Sequence, residues 1–307
     1  MARLFIDEFA GISNRLETLP LAFAIRQHHG HDIVLDWREL DSFSVADTAR
    51  GKVRIRAKLG ALRVRDCDRR LFDTLGGRKI ILRSLNGPAE LLDPIYLEVA
   101  AKVKLAPGLA REVQATFAKL RGRPVVGVHM RYGDFELEDP DVYRVEREWP
   151  AVPVWWYAAT MAAIRRVQPE VAFFLSGTGD PGKLSELRGF EPFTLGVNSH
   201  YAYKGESHGS RANPLADLFA LACCPVILAT PLSAYSHWAA NALGPASDCI
   251  APVPGASRDD PRRALVRMYG ARLPRWRTTA RNGADTLQLV ADFAGLDLGR
   301  AADTSWL

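Results

Sequence analysis

Short, uniformly apolar runs recur along the chain at Arg3–Ile6, Asp32–Leu35, Lys79–Leu82, Val125–His129, Val171–Leu175 and Val226–Leu228. Runs this short read as buried strands rather than helices. Between several of them lie segments with helical spacing. Tyr157, Met161 and Ile164 stand at i, i+4 and i+7 on one face, and Asn213-Pro214 supplies an N-cap and a first-turn proline ahead of Leu215–Cys223. Asn14–His29 also has helical register, but Pro20 must either start a second helix or kink the first, and a helix is expected to resume after it. Alternating strands and helices predict an α/β protein with parallel sheets covered by helices.

At 307 residues the chain exceeds one comfortable core, so two domains are expected. The boundary is placed where a charged helical segment ends at Leu120-Arg121-Gly122-Arg123-Pro124. This gives a first domain over 1–120 and a second over 121–273. A C-terminal segment over 274–307 follows, whose helix at Thr286–Leu296 is expected to return to the first domain.

Nearly half of the residues are apolar and about a quarter charged, an ordinary globular composition. The formal net charge of +5 suits anionic partners without specifying one. Nucleic acid is not expected, because zinc-finger spacing and an RNP-like motif are absent and the basic stretch Arg50–Arg70 is interleaved with Asp66 and Asp68. Cys67, Cys223, Cys224 and Cys249 lack metal-site spacing and read as buried apolar residues in a reducing compartment. With no long apolar stretch, the expected location is the cytoplasm, with peripheral contact at the inner membrane face open to a basic surface.

Three clusters carry candidate chemistry. His129-Met130-Arg131-Tyr132-Gly133-Asp134 follows a buried strand, and the Arg131 fork of donors matches phosphate oxygens. A structural Arg–Asp pair beside a core histidine is the bland alternative. Gly11-Ile12-Ser13-Asn14-Arg15-Leu16 follows the first strand and forms an N–H cradle at a helix start, where Asn14 either bonds a ligand or caps the helix. The third runs from Asp217 to Ala240. In it Ser233 is the expected N-cap of a helix, Thr230 and Ser236 add donors suited to phosphate, and Asp217 either accepts from a guanine edge or ribose or complements a helix dipole.

Together these blocks resemble the GDP-fucose-dependent fucosyltransferase superfamily, which includes α1,2-, α1,6- and protein O-fucosyltransferases. Gly11–Arg15 is similar to its G-x-G-N-[QR] loop and His129-Xaa-Arg131-Xaa-Gly133-Asp134 to its H-x-R-R-x-D motif. Trp156–Met161, Phe173–Ser176 and Tyr235-Ser236-His237-Trp238-Ala239-Ala240 resemble further blocks in the same order. Tyr132 stands where a second arginine is usual, and Ser13 where a second glycine is; Arg15, Arg211 or Lys204 would then compensate for the missing cation.

The resemblance implies a GT-B architecture of two Rossmann-like domains facing across a cleft and an inverting transfer of fucose from GDP-fucose to a glycan or glycoconjugate, without an obligatory metal. It assigns Arg131 to the diphosphate, His129 and Asp217 to the nucleoside, and Ser233 and Ser236 to the phosphates. Gly11, Asn14 and Arg15 complete the donor site. Glu138 and Asp139, within the acidic run Asp134, Glu136, Glu138, Asp139, are the candidate general bases, with Glu17 as rival. Another nucleotide sugar, or nucleotide-sugar binding without transfer, are the alternative readings.

The strings Asp66-Cys67-Asp68 and Asp139-Pro140-Asp141 read as solvated or ion-paired carboxylates rather than a manganese site. Trp149, Trp155, Tyr201 and Tyr203 are candidates to stack on acceptor sugars, and Asn198–Asn213 reads as a lid loop.

Overall fold

The computed structural model describes residues 2–55, 59–131, 136–146, 150–178, 185–195, 214–231, 233–260, 293 and 296–307, together with the backbone of 200–201, 264–266 and 288–290. Two compact units divide the chain at 106/107.

The first unit contains β1 (Arg3–Ile6), α1 (Ile12–Leu16), α2 (Leu19–His29), β2 (Asp32–Leu35), β3 (Phe43–Val45), β4 (Ala49–Arg50), β5 (Leu62–Val64), α3 (Arg69–Asp73), β6 (Ile80–Leu82), α4 (Ala89–Leu92), α5 (Tyr96–Ala101) and β7 (Val103–Leu105). Its sheet has the order β4-β2-β1-β6-β5, all parallel, while β3 and β7 pair antiparallel beside it. Pro20 separates α1 from α2 as expected: it sits in the first turn of α2, where its missing N–H costs nothing. α2 ends at Gly30, whose φ of 72° is the left-handed cap that favours glycine.

The second unit contains α6 (Pro107–Ala118), β8 (Val125–Met130), α7 (Val154–Val167), β9 (Ala172–Thr178), β10 (His200–Tyr201), α8 (Pro214–Ala222), β11 (Val226–Leu228), α9 (Ala234–His237), β12 (Asp248–Pro252), β13 (Ala264–Val266) and β14 (Gln288–Val290). A π-turn over Trp238–Ala242 continues α9. The sheet order is β10-β9-β8-β11-β12-β13-β14, parallel up to β12 and antiparallel beyond it. Tyr157, Met161 and Ile164 of α7 lie buried in one core with Val126, Val128, Phe173 and Leu175 of β8 and β9. Gly177 permits the strands to meet here, since a Cβ would come within 2.7 Å of the Met130 carbonyl.

The α/β expectation of parallel sheets is borne out. The units divide at 106/107 rather than 120/121 because α6 belongs to the second: Phe117 packs edge-on against Phe193 and tilted against Phe174, with centroids 5.8 and 5.6 Å away. Gln288–Val290 is a strand and not part of a helix, because its backbone pairs with β13. The rest of the expected Thr286–Leu296 helix lies outside the described residues, Phe293 and Leu296 excepted.

Residues 296–307 dock on the second unit. The Arg300 carbonyl accepts from Val125 N–H at 3.1 Å, and Trp306 stacks on Phe219 at 5.5 Å and covers Gly244.

Candidate functional site

In the second sheet the chain runs outward from β8 to β9 and β10, then returns to the opposite side of β8 as β11. Strand order therefore reverses between β8 and β11, and open α/β sheets bind ligands at the carboxyl ends of strands beside such a reversal. His129, Arg131, Thr230, Ser233 and Ser236 all sit at these two strand ends.

A hydroxyl network holds the end of β8. The Tyr157 hydroxyl, from α7, donates to the His129 carbonyl at 2.9 Å, and the Thr230 hydroxyl donates to the same oxygen at 3.0 Å. Thr230 Oγ1 in turn accepts the Arg131 N–H at 3.1 Å. Side chains from α7 and from the turn after β11 thus fix the backbone from which the His129 and Arg131 side chains project. None of these hydroxyls is exposed: Thr230 and Tyr157 are both fully buried.

His129 is 3% exposed, lies flat against Tyr235 at a centroid distance of 4.7 Å, and meets Ser236 Oγ with Nδ1 at 2.7 Å. Burial, reinforced by the nearby Arg131 charge, holds its pKa down to about 3, so the ring is neutral at any physiological pH. Its tautomer follows from the network. Ser236 Oγ accepts the Thr230 N–H at 3.2 Å, and His129 Nδ1 is the acceptor that its own proton meets among the described residues, so the hydroxyl donates to Nδ1. The ring proton of His129 then resides on Nε2, making that nitrogen a donor.

Tyr235 ties this ring to α8, because its hydroxyl donates to the Pro214 carbonyl at 2.9 Å and accepts from Ser176 at 3.4 Å. Asp217 follows Pro214 by three residues and so lies on the same side of the helix. It is 1% exposed, and its Oδ1 has no hydrogen-bond partner. Burial pushes its pKa well above the usual carboxylate range. α8 packs against the π-turn, a rare element associated with functional sites, in which Asn241 Nδ2 approaches His237 Nδ1 at 3.4 Å. Ser233 is the N-cap residue of α9 by backbone, but its hydroxyl makes no capping bond.

The first unit treats its candidates differently. Gly11, not Asn14, caps α1, and an added Cβ there would meet nothing within 4 Å, so no close approach demands a glycine. Asn14 lies within α1. Arg15 is buried and committed to a bidentate pair with Glu39, at 2.7 and 3.1 Å, with its guanidinium 5.1 Å from the Trp37 ring centroid. Its assignment as a phosphate ligand is therefore corrected to a structural one, since both terminal nitrogens already have a carboxylate. Glu17, the rival base, is buried and accepts from Tyr96 at 3.0 Å.

Asp139 stabilises its own loop, accepting from the N–H groups of Asp141 and Val142 and pairing with Arg144 at 3.1 Å. The Asp141 N–H and then Arg144 hold its pKa below the usual range, which makes it a poor base. Glu138 is half-buried, and its charge raises the buried Tyr143 hydroxyl, already pushed up by burial. Asp68 caps α3 by accepting from Leu71 N–H at 2.7 Å, so the first DxD string is structural. Among the described residues no cluster of His, Cys, Asp and Glu could hold a metal ion. Tyr132, Gly133, Asp134, Trp149, Tyr203, Lys204 and Arg211 lie outside the described residues, as does most of the Asn198–Asn213 loop. Trp155 is core, donating to the Pro140 carbonyl at 2.8 Å.

Sequence reasoning missed Tyr157 and Tyr235 as organisers of the site, although both stand inside quoted motif blocks. Their hydroxyls were the available signal, since a buried tyrosine must place its O–H on a partner.

No protein-family model matches the chain, and no curated protein matches its sequence. Solved structures do. Fucosyltransferase NodZ from Bradyrhizobium aligns over 82% of this chain and 96% of its own, with a TM-score of 0.51 and 17% identity. NodZ alpha-1,6-fucosyltransferase co-crystallized with GDP aligns over 82% and 95%, with a TM-score of 0.50 and 17% identity. A mutant of Arabidopsis thaliana FUT1 in complex with GDP aligns over 84% and 71%, with a TM-score of 0.54 and 11% identity. At these identities the likeness is one of fold, and the chain shares the fold of the fucosyltransferases that its motifs resemble.

Proposed function

We propose that this chain is an inverting glycosyltransferase that moves fucose from GDP-fucose to a hydroxyl of a glycan or glycoconjugate. The observation that carries the reading is Asp217, a buried carboxylate oxygen without a partner, placed one helical turn beyond the residue that Tyr235 ties to His129. Guanine presents two adjacent donors, N1–H and the exocyclic amine, that match a carboxylate in bidentate fashion. Such a ligand relieves the desolvation cost that Asp217 bears when alone. The Nε2–H of His129 supplies a neutral donor nearby, and Arg131 supplies the positive charge for the diphosphate.

In the transfer, an acceptor oxygen attacks the anomeric carbon while the bond from that carbon to the β-phosphate oxygen breaks and GDP departs with the electron pair. Charge grows on the diphosphate, where the Arg131 guanidinium offsets it; one preorganised donor of this kind is worth ~3–4 kcal/mol. The acceptor proton passes to a carboxylate. Glu138 and Asp139 are the two candidates, and Asp139 is made less basic by accepting two backbone N–H groups and an arginine.

Thermal protection by GDP, UDP, ADP and CMP, followed by incubation of GDP-fucose with a panel of glycans, tests the reading. Protection by GDP above the others, with fucose appearing on an acceptor, is expected. Protection by every nucleotide except GDP overturns the donor, and GDP binding without hydrolysis or transfer overturns the enzyme.

A further inference from the structure

The first sheet has β4 at one edge and β5 at the other, so the chain between them crosses a whole face of the sheet. On that face Phe5, Val34 and Ile81 are covered by Val53 and Ala61. Ile55 and Leu59 belong to the same crossing yet are 79% and 66% exposed. Leu59 N–H donates to the Ile55 carbonyl at 3.1 Å, which places these two side chains one helical turn apart.

The sequence of this crossing and the strand after it is strongly basic. Nine basic and two acidic residues between Arg50 and Arg70 give that segment +7, whereas the chain as a whole carries +5, so the remainder is net negative. Arg54, Arg63 and Arg65 are exposed and have no ion-pair partner among the described residues. The same sheet face opens into a cavity of about 550 Å³, with Phe5 and Val34 among its lining, Arg3, Arg26, Arg50 and Lys52 around them, and Asp32 and Asp47 beside these; Arg50 and Lys52 are paired with Asp41 and Asp36.

We infer that this face docks on an anionic phospholipid bilayer, with Ile55 and Leu59 entering the acyl boundary and the arginines meeting lipid phosphates. Peripheral binding needs both signals, apolar burial and electrostatic attraction, since either alone is marginal. A polynucleotide accounts for the arginines but gives two exposed aliphatic side chains nothing to bury against, which favours lipid. The inference stands apart from the transferase reading, because it uses none of the residues at the β8 and β11 ends.

Co-sedimentation of the full chain with vesicles of phosphatidylcholine, with and without phosphatidylglycerol, tests it. Binding is expected only with phosphatidylglycerol present, and release is expected as salt shortens the screening length. An Arg63→Glu/Arg65→Glu variant should bind at least tenfold more weakly, given about fivefold for each basic residue near an anionic surface. Ile55→Ser/Leu59→Ser should lose at least about a hundredfold through apolar burial alone. Circular dichroism on each variant checks that it is folded. No sedimentation with phosphatidylglycerol vesicles, or full vesicle binding by folded Ile55→Ser/Leu59→Ser, overturns the inference. Retention on duplex DNA that exceeds vesicle binding, unchanged in that variant, reassigns the face to a nucleic acid.

Discussion

The two sheets of this chain each reverse strand order once, between β1 and β6 in the first unit and between β8 and β11 in the second, and the two reversals are furnished in opposite ways. In the first, the strand-end residues Asp7 and Arg83 form a bidentate pair at 2.6 and 3.0 Å, and the loop that follows β1 leads to the Arg15–Glu39 pair. Each of these four charges has an opposite charge beside it within the chain, although the buried Arg15 Nε makes no hydrogen bond of its own. In the second, a neutral histidine, a set of buried hydroxyls and an uncompensated carboxylate occupy the corresponding place. Buried polar groups left incomplete cost stability unless something outside the chain completes them. The comparison teaches that a strand-end motif marks a position, while the state of its charges distinguishes a binding site from a brace.

The largest expected effect separates the two arginines. Arg131→Ala should lower turnover by ~10²–10³ with a melting temperature close to that of the wild type, as for loss of one preorganised donor. Arg15→Ala should instead cost ~3 kcal/mol of stability, because it strands Glu39 in a part-buried setting, and should leave GDP affinity unchanged. Urea unfolding and GDP titration of both variants check this. Loss of GDP binding in a folded Arg15→Ala variant breaks the contrast.

Asp217→Asn sharpens it next. The carboxylate must be ionised to accept from guanine, and burial raises its pKa in the ligand-free chain. GDP affinity should therefore rise with pH through that raised value in the wild type, and be weaker and flatter in the variant, by ~10–100-fold at neutral pH for a charged hydrogen bond. The ligand-free wild type should lose stability as pH rises from the usual carboxylate range through that raised value, since a carboxyl whose pKa is raised on folding stabilises while protonated, and the variant should lack this slope.

A smaller effect lies on the acid side and belongs to His129. Its pKa is lowered on folding, from 6.5 to about 3, so the unfolded chain takes up a proton across that window while the folded chain does not. Stability should fall as pH drops below 6.5, by up to about 1.4 kcal/mol per pH unit from this group. His129→Gln should remove that part of the slope in urea titrations at pH 4 to 6.

Much of this was legible in the sequence. β1, β2 and β11 have the predicted bounds because they are contiguous apolar runs between polar turns, and the Pro20 break follows from the covalent geometry of proline. His129 and Ser236, named from two separate blocks of the sequence, meet at 2.7 Å in the structure. What the sequence does not carry is pairing over distance. Glu39, which claims Arg15, is 24 residues away, and Arg83, which claims Asp7, is 76 away. Asp139 was likewise named for its position after the strand, whereas its hydrogen bonds to Asp141 and Val142 depend on how the loop turns. Tyr235 reads as one more aromatic in a helix until its ring lies on His129.

GDP is expected to bind where β8 and β11 end, against an Nε2-protonated His129. Side-chain nitrogen-15 spectra of the imidazoles, with His129 assigned by its absence in His129→Gln and recorded during a GDP titration at pH 7, address it directly. A neutral ring protonated at Nε2, with resonances that move to saturation as GDP binds, is expected. A ring protonated at Nδ1, or His129 resonances that stay in place while calorimetry reports GDP bound, would contradict it.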